Sequence, residues 1–284
     1  MKLIAIDLDG TLLSTSLTIS ERNKAAIQKA QEQGHIVMIC SGRAPEDIIG
    51  ILKEAKLDCH VAGSNGTAVY AAGKLLKVIS IEKEDINTIG SLLDEEEVPY
   101  RIYSNQGIFT PDSWVDSISK VLESGRANVV DLTEEQRKKI TEQPKKENIQ
   151  LFTHIRDVAD REDITVQKFF ILTLDLDQKE KLSEIFKNID GINVTSSGTF
   201  NLEVMNKEGH KGNGLKTAAA HFGVSMKDTV AIGDNFNDLP MLKAAGISIA
   251  MDNGDPHIKE ICDYITASND EDGVGQAIEK HVLT

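Results

Sequence analysis

A chain of 284 residues, 40% apolar and 27% charged, is long enough for two domains and has the balance of an ordinary globular protein. Its formal net charge of −14 disfavours nucleic acid and anionic membrane as partners, since both are bound by basic faces, and no uninterrupted apolar run approaches the roughly 20 residues of a membrane span. Three widely spaced cysteines, Cys40, Cys59 and Cys262, suit neither a disulfide framework nor a paired-thiol zinc site, and "MKLIAIDLDG" puts acids where an export signal continues its apolar region, so the expectation is a cytoplasmic protein with reduced thiols.

In chain order, "KLIAIDLD" predicts a buried strand, and "TISERNKAAIQKAQEQG" a helix capped by Ser20 and stopped at Gly34. "HIVMICSG" is a second buried strand. Continuous apolar strands joined by amphipathic helices imply parallel pairing with crossovers, because a strand covered on both faces has no polar side to show. Between about Ile81 and Met205 the grammar changes: the acidic helix "KEDINTIGSLLDEEE" precedes the strands "YRIYS" and "GIFTP", then a polar stretch, then "KFFILTLD" and "FNLEVMN" with a helix between them. Residues 133 to 165, rich in Lys, Glu, Gln and Arg, predict exposed loops and a short helix. The last 75 or so residues return to alternation, with "GLKTAAAHFG" and "DLPMLKAAG" as helices, "TVAIGD", "ISIAM" and "YITAS" as strands, and a helix opened by Pro256. The fold expected is α/β, a doubly wound, Rossmann-like parallel sheet with an α+β insertion.

"IAIDLDGTLL" places Asp7 and Asp9 at the end of an apolar strand, where residues two apart face the same way and unpaired carboxylates repel and desolvate. A positive charge is needed there. Open α/β sheets bind ligands beyond the C-terminal ends of their strands, and four candidates sit at such ends: Asp7 with Asp9, Ser41 with Gly42, Lys211 before a helix, and "GDNFND" with Asp234, Asn237 and Asp238. Each alone reads equally as a cap, a turn or a solvated charge. Together, Asp7, Asp9 and Asp234 form a set of oxygen donors for a hard cation such as Mg²⁺, while Lys211, Ser41 and nearby N–H groups suit phosphate oxygens. Gly10 lets the chain turn sharply out of the strand.

"DLDGT" at 7–11, "CSGR" at 40–43, Lys211 in "HKGNG" and "GDNFND" at 233–238, in that order and with an insertion between the second and third, resemble the haloacid dehalogenase superfamily, and within it the Cof-type phosphatases. "SNGT" at 64–67 and the terminal "ITASNDEDGVGQAI" resemble that branch too, so the likeness covers nearly the whole chain. It implies a core over residues 1–82 and 205–284 and a cap domain over 83–204. It also implies that Asp7 takes the phosphoryl group as nucleophile, that Asp9 protonates the leaving alcohol and then activates water while its backbone carbonyl binds Mg²⁺, and that Asp234 is the other carboxylate on the ion. Asp238 would act from behind, and Ser41, Gly42, Lys211, Asn237 and the Leu8 backbone would hold the phosphate. An acid at position 9 favours hydrolysis of oxygen esters, because the proton donor is present.

The expected partner is therefore a small phosphate ester, with sugar phosphates leading and cofactor phosphates such as flavin mononucleotide or pyridoxal phosphate next. Nothing in the sequence fixes an oligomeric state. A phosphomutase and a non-enzymatic phosphoacceptor are the rival readings. Arg43 reads as a substrate contact or as an exposed, helix-pairing arginine, Asn65-Gly66 as a hairpin turn, His210 as a loop residue, and Trp114, Tyr100 and Tyr103 as packing within the cap.

Overall fold

Leu3–Ile6 contains no polar side chain and all four residues are buried, which requires strand neighbours on both edges and packing on both faces. It is β1 of the structure, a computed structural model that describes residues 1–128 and 149–283. Ser20 caps α1 (Glu21–Glu32) by accepting the Asn23 N–H, and Gly34, at φ +81°, carries the chain out of it. β2 (Ile36–Cys40), α2 (Pro45–Glu54) and β3 (His60–Gly63) follow. The run "TAVYAAGKLL" folds as two strands, β4 (Ala68–Ala71) and β5 (Lys74–Val78), because Ala72 and Gly73 reverse the chain at positive φ.

The chain divides into two compact units, Met1–Val78 with Gly209–Thr284, and Ile79–Glu208. The inserted unit comprises α3 (Lys83–Glu95), β6 (Tyr100–Ser104), β7 (Gly107–Pro111), α4 (Trp114–Glu123), β8 (Ile149–Phe152), α5 (Arg156–Ala159), β9 (Val166–Leu172), α6 (Leu176–Lys187), β10 (Ile192–Thr195) and β11 (Asn201–Asn206). Its sheet runs β10-β11-β9-β6-β7-β8, antiparallel except for β7 with β8. Phe169 and Ile171 of β9 join Ile89, Leu93, Leu182 and Phe186 from the helices in one core, whereas Leu172 lies with Trp114 and Ile118 in another. Lys168 and Glu203, both buried, form an ion pair at 3.2 Å, and the Lys168 ammonium sits 4.5 Å above the Tyr103 ring. Helix α4 lies in what the sequence shows only as a polar stretch; its apolar stripe, Trp114, Ile118 and Val121, recurs at helical spacing but is masked by the serines and charges between. Of the stretch 133–165, residues 133–148 lie outside the described residues; β8 stands where loop was expected, and α5 is the short helix.

The first unit resumes with α7 (Lys211–Phe222), β12 (Thr229–Gly233), α8 (Leu239–Ala244), β13 (Ile247–Ala250), α9 (Pro256–Ile261), β14 (Tyr264–Ile265) and α10 (Gly273–His281). Its sheet runs β14-β13-β12-β1-β2-β3-β4-β5, parallel from β14 to β3 and antiparallel at the β4–β5 edge. Strand alternation sorts the core by face. Ile4, Ile6, Val37, Ile39, Val230 and Ile232 pack against α1, α2 and α10, while Leu3, Ala5, Met38, Cys40 and Ala231 pack against α7 and α8. The fold is thus α/β and doubly wound. The chain moves outward from β1 through β2 and β3, then restarts beside β1 at β12 and moves the other way, so the topological switch point lies between β1 and β12.

Candidate active site

Ile6 is level with both Ile39 and Ile232, so β1, β2 and β12 end side by side at the switch point. The Asp7 N–H still pairs with the Ile232 carbonyl at 2.9 Å, and the chain then curls back, with the N–H groups of Leu12 and Leu13 on the carbonyls of Asp7 and Leu8 at 3.2 and 2.8 Å. Gly10 makes this turn at φ +79°. A Cβ there would lie 2.6 Å from Asp234 Oδ2, so the close approach of the two acidic loops requires glycine twice over.

Lys211 was expected just before a helix; it is instead the first residue of α7, with His210 as the N-cap accepting the Asn213 N–H at 3.2 Å. From there its ammonium reaches Asp7 Oδ1 and Asp238 Oδ1, 2.5 Å from each, and is wholly buried. Burial alone would drive off its proton, but the carboxylates of Asp238 and Asp7 more than reverse that and raise its pKa. The second Asp238 oxygen accepts the N–H groups of Asp234 and Asn235 at 2.9 and 3.0 Å, which ties the "GDNFND" loop around it. Thr11 donates its hydroxyl to Asp234 Oδ1 at 2.7 Å.

Carboxylate oxygens of Asp7, Asp234 and Asp238 all lie within 4.8 Å of one another. Burial first, and the Asp238 charge next, push the Asp7 carboxyl upward against the pull of Lys211; Asp234 is raised by the same two causes in the same order. Three carboxylates face one ammonium, so the site is short of positive charge. An all-oxygen, electron-rich donor set of this kind fits a hard divalent cation, whose charge would lower both carboxyl pKa values.

Asp9 does not turn into this cluster. The strand has ended at Ile6, so strict alternation no longer applies, and the half-exposed Asp9 carboxylate is held at two points by Arg43, from Nε at 2.8 Å and Nη2 at 2.5 Å. The positive charge that two acids at this strand end demand is thus divided between Lys211 on Asp7 and Arg43 on Asp9. Ser41, buried at the end of β2, accepts the Arg43 N–H on its hydroxyl at 3.2 Å, with Gly42 between them in the same turn. Asn237 donates to Asn65 Oδ1 at 3.3 Å. Asn65, at φ +57°, and Gly66 form more than a hairpin connection: the Asn65 N–H bonds the Ser41 carbonyl at 2.9 Å, and a Cβ on Gly66 would be 2.7 Å from the His210 carbonyl oxygen. Sequence reasoning therefore missed Thr11 and Asn65 as neighbours of the site, and weighed Arg43 there without foreseeing its pairing with Asp9. Each carried a faint signal, since each stands inside or beside a motif already singled out.

The sequence profile of the haloacid dehalogenase-like hydrolases matches residues 4–278. The 5-amino-6-(5-phospho-D-ribitylamino)uracil phosphatase YwtE of Bacillus subtilis is 31% identical over 99% of this chain and 98% of its own. Phosphatase YwpJ of the same organism is 30% identical over the whole of both chains. Among solved structures, a haloacid dehalogenase-like hydrolase from B. subtilis superposes with a TM-score of 0.85 at 27% identity, over 99% of this chain and 100% of that one. The subclass IIB sugar phosphatase BT4131 shares the fold at a TM-score of 0.79 and 22% identity, over the whole of both chains.

Proposed function

Because the chain belongs to the haloacid dehalogenase-like hydrolases and is a phosphatase among them, we propose that it removes phosphate from small metabolites through an aspartyl phosphate on Asp7. The observation that carries this reading is the wholly buried Lys211 ammonium shared by Asp7 and Asp238, with Asp234 alongside. Lys211 pulls Asp7 toward its ionised form, against burial and Asp238, and adds charge where phosphate oxygens would sit. Asp7 and Asp234, with the Asp9 carbonyl, would hold Mg²⁺, which when bound shares the phosphate charge and lowers the cost of bringing an anionic ester to a carboxylate.

Asp7 attacks phosphorus in line with the leaving oxygen, and Asp9, released from Arg43 and protonated before the reaction, gives that oxygen its proton as the P–O bond breaks. Asp9, now ionised, takes a proton from water as the water attacks phosphorus. The acyl phosphate bond breaks, phosphate leaves, and Asp7 is restored. Asp238 holds Lys211 and the 234–235 backbone in place, while Ser41, Gly42, Asn237 and the Leu8 backbone supply neutral donors to the phosphate. For the leaving group we propose a polyol or sugar phosphate, or a cofactor phosphate such as flavin mononucleotide or pyridoxal phosphate; the substrate named for YwtE, a phosphoribitylamino-uracil, carries its phosphate on a polyol chain, as flavin mononucleotide does.

A panel of sugar, nucleotide and cofactor phosphates assayed for phosphate release, with and without Mg²⁺, tests the proposal. Release that needs Mg²⁺ and vanishes in Asp7→Asn is expected, with the variant still folded. Near-normal release by that variant removes Asp7 as nucleophile. An isomeric phosphate ester formed without free phosphate points to a mutase, and a phosphoaspartate that persists for minutes to a phosphoacceptor.

A further inference from the structure

The segment "ASNDEDG", residues 267–273 ahead of α10, carries none of the groups assigned above, yet its side chains run to the loop that leaves Asp7. Asn269 donates from Nδ2 to the Leu13 carbonyl at 2.9 Å, and Asp270 accepts the N–H and hydroxyl of Thr15 at 2.8 and 2.5 Å. Asn253, on the turn after β13, donates from Nδ2 to the Gly10 carbonyl at 2.8 Å and accepts the Asn269 N–H on Oδ1 at 2.9 Å. The second bond decides which way the amide faces: oxygen toward Asn269, NH₂ toward Gly10.

The same turn also grips the other acidic loop. The Asp255 N–H bonds the Asp234 carbonyl at 2.9 Å, and a Cβ on Gly254 would lie 3.0 Å from that carbonyl oxygen. Residues 251–255 therefore bridge the two loops that carry Asp9 and Asp234. Anchoring the Gly10 carbonyl fixes the plane of the Gly10–Thr11 peptide, and with it Thr11, whose hydroxyl is on Asp234 Oδ1. Gly10, lacking Cβ and sitting at positive φ, is the point where the loop would otherwise turn most freely.

We propose that Asn253 is a positioning residue of the phosphatase site: it sets the spacing between the Asp7–Asp9 loop and the Asp234 loop, and the Asn269 backbone N–H keeps its amide pointed correctly. This rests on the phosphatase reading given above. The test compares Asn253→Ala, the nearly isosteric Asn253→Leu, and Asn253→Asp with Gln276→Ala, which deletes an equally exposed bond, from Gln276 Nε2 to the Glu271 carbonyl at 2.7 Å, that does not reach the catalytic loop.

With 4-nitrophenyl phosphate and saturating Mg²⁺, kcat falls about tenfold to hundredfold in the Asn253 variants, the usual cost of losing a partner that orients a ligand, with KM and melting temperature near wild type. Gln276→Ala stays at wild-type rate. Amide hydrogen exchange in peptides covering residues 8–16 is faster in the Asn253 variants. Wild-type kcat in Asn253→Leu, or faster exchange without a change in kcat, overturns the proposal. If Asn253→Ala fails to fold, Asn253→Asp decides: its carboxylate still accepts the Asn269 N–H but has no N–H for the Gly10 carbonyl, and an unchanged kcat sinks the claim. If the wild-type protein hydrolyses no ester in the panel, the phosphatase reading fails instead, and unaltered exchange of residues 8–16 in Asn253→Leu then rejects the positioning role separately.

Discussion

Lys211 carries more of the site than any other single residue, since it is buried completely and both of its carboxylate partners are buried too. Replacing it by methionine keeps the volume but leaves Asp7 and Asp238 facing each other without a cation. Breaking one side of a buried ion pair costs about 3–5 kcal/mol, and a denaturant titration of Lys211→Met should show a loss of that order at pH 8. The loss should shrink toward pH 5. Without Lys211 the buried Asp7 carboxyl binds its proton more tightly folded than unfolded, so stability returns as the pH falls through its raised value. A variant as stable as wild type at pH 8 contradicts this account. At the same scale, the divergence of Asp9 from Asp7 shows how far a two-residue spacing can mislead. Alternation holds only while the strand lasts, and β1 ends at Ile6.

At the scale of elements, strands were legible where burial on both faces left an apolar run, as in β1, β2 and β12, whereas α4, β8 and β10 were not, being short or interrupted by polar residues. In the inserted unit, β9 and β11 bring Lys168 and Glu203 together inside the sheet layer. Neither residue stood out in sequence, because a lysine within "QKFFIL" and a glutamate within "NLEV" read as the solvent side of a half-exposed strand. Their burial makes them a pair rather than two surface charges. Lys168→Met alone should cost about 3–5 kcal/mol by denaturant unfolding, and Lys168→Met with Glu203→Leu should recover most of it, since a matched apolar pair needs no charge compensation. Equal losses in the single and double variants speak against this pairing.

For the whole molecule the governing quantity is the linkage between acid titration and cation binding. Folding raises the Asp7 and Asp234 carboxyl groups above the ordinary carboxylate range, through burial and then through Asp238. The metal-free protein therefore has full stability from these groups at low pH and loses it as the pH rises through their raised values. A divalent cation needs both groups ionised, so it restores at neutral pH what ionisation removes, and at a hundredfold excess over its Kd it adds about 2.7 kcal/mol. Melting curves with Mg²⁺ against a chelator should separate clearly at pH 8 and converge near pH 4.5. A separation independent of pH would contradict the acidic cluster as the binding site.

Burial periodicity and helix capping are local and are written residue by residue, so the doubly wound sheet, and the change of pattern after it, could be read along the chain. The sequence also brought forward the acids, the lysine and the serine that meet at the switch point, through the order and spacing of their motifs. Which charge neutralises which became visible in the folded chain, with Arg43 on Asp9 and Lys211 between Asp7 and Asp238, as did the place of Asn253 between the Gly10 and Asp234 loops. Asp7 and Lys211 are 204 residues apart in the chain. Contacts over such separations follow from strand order and register, and no local pattern of side chains encodes them.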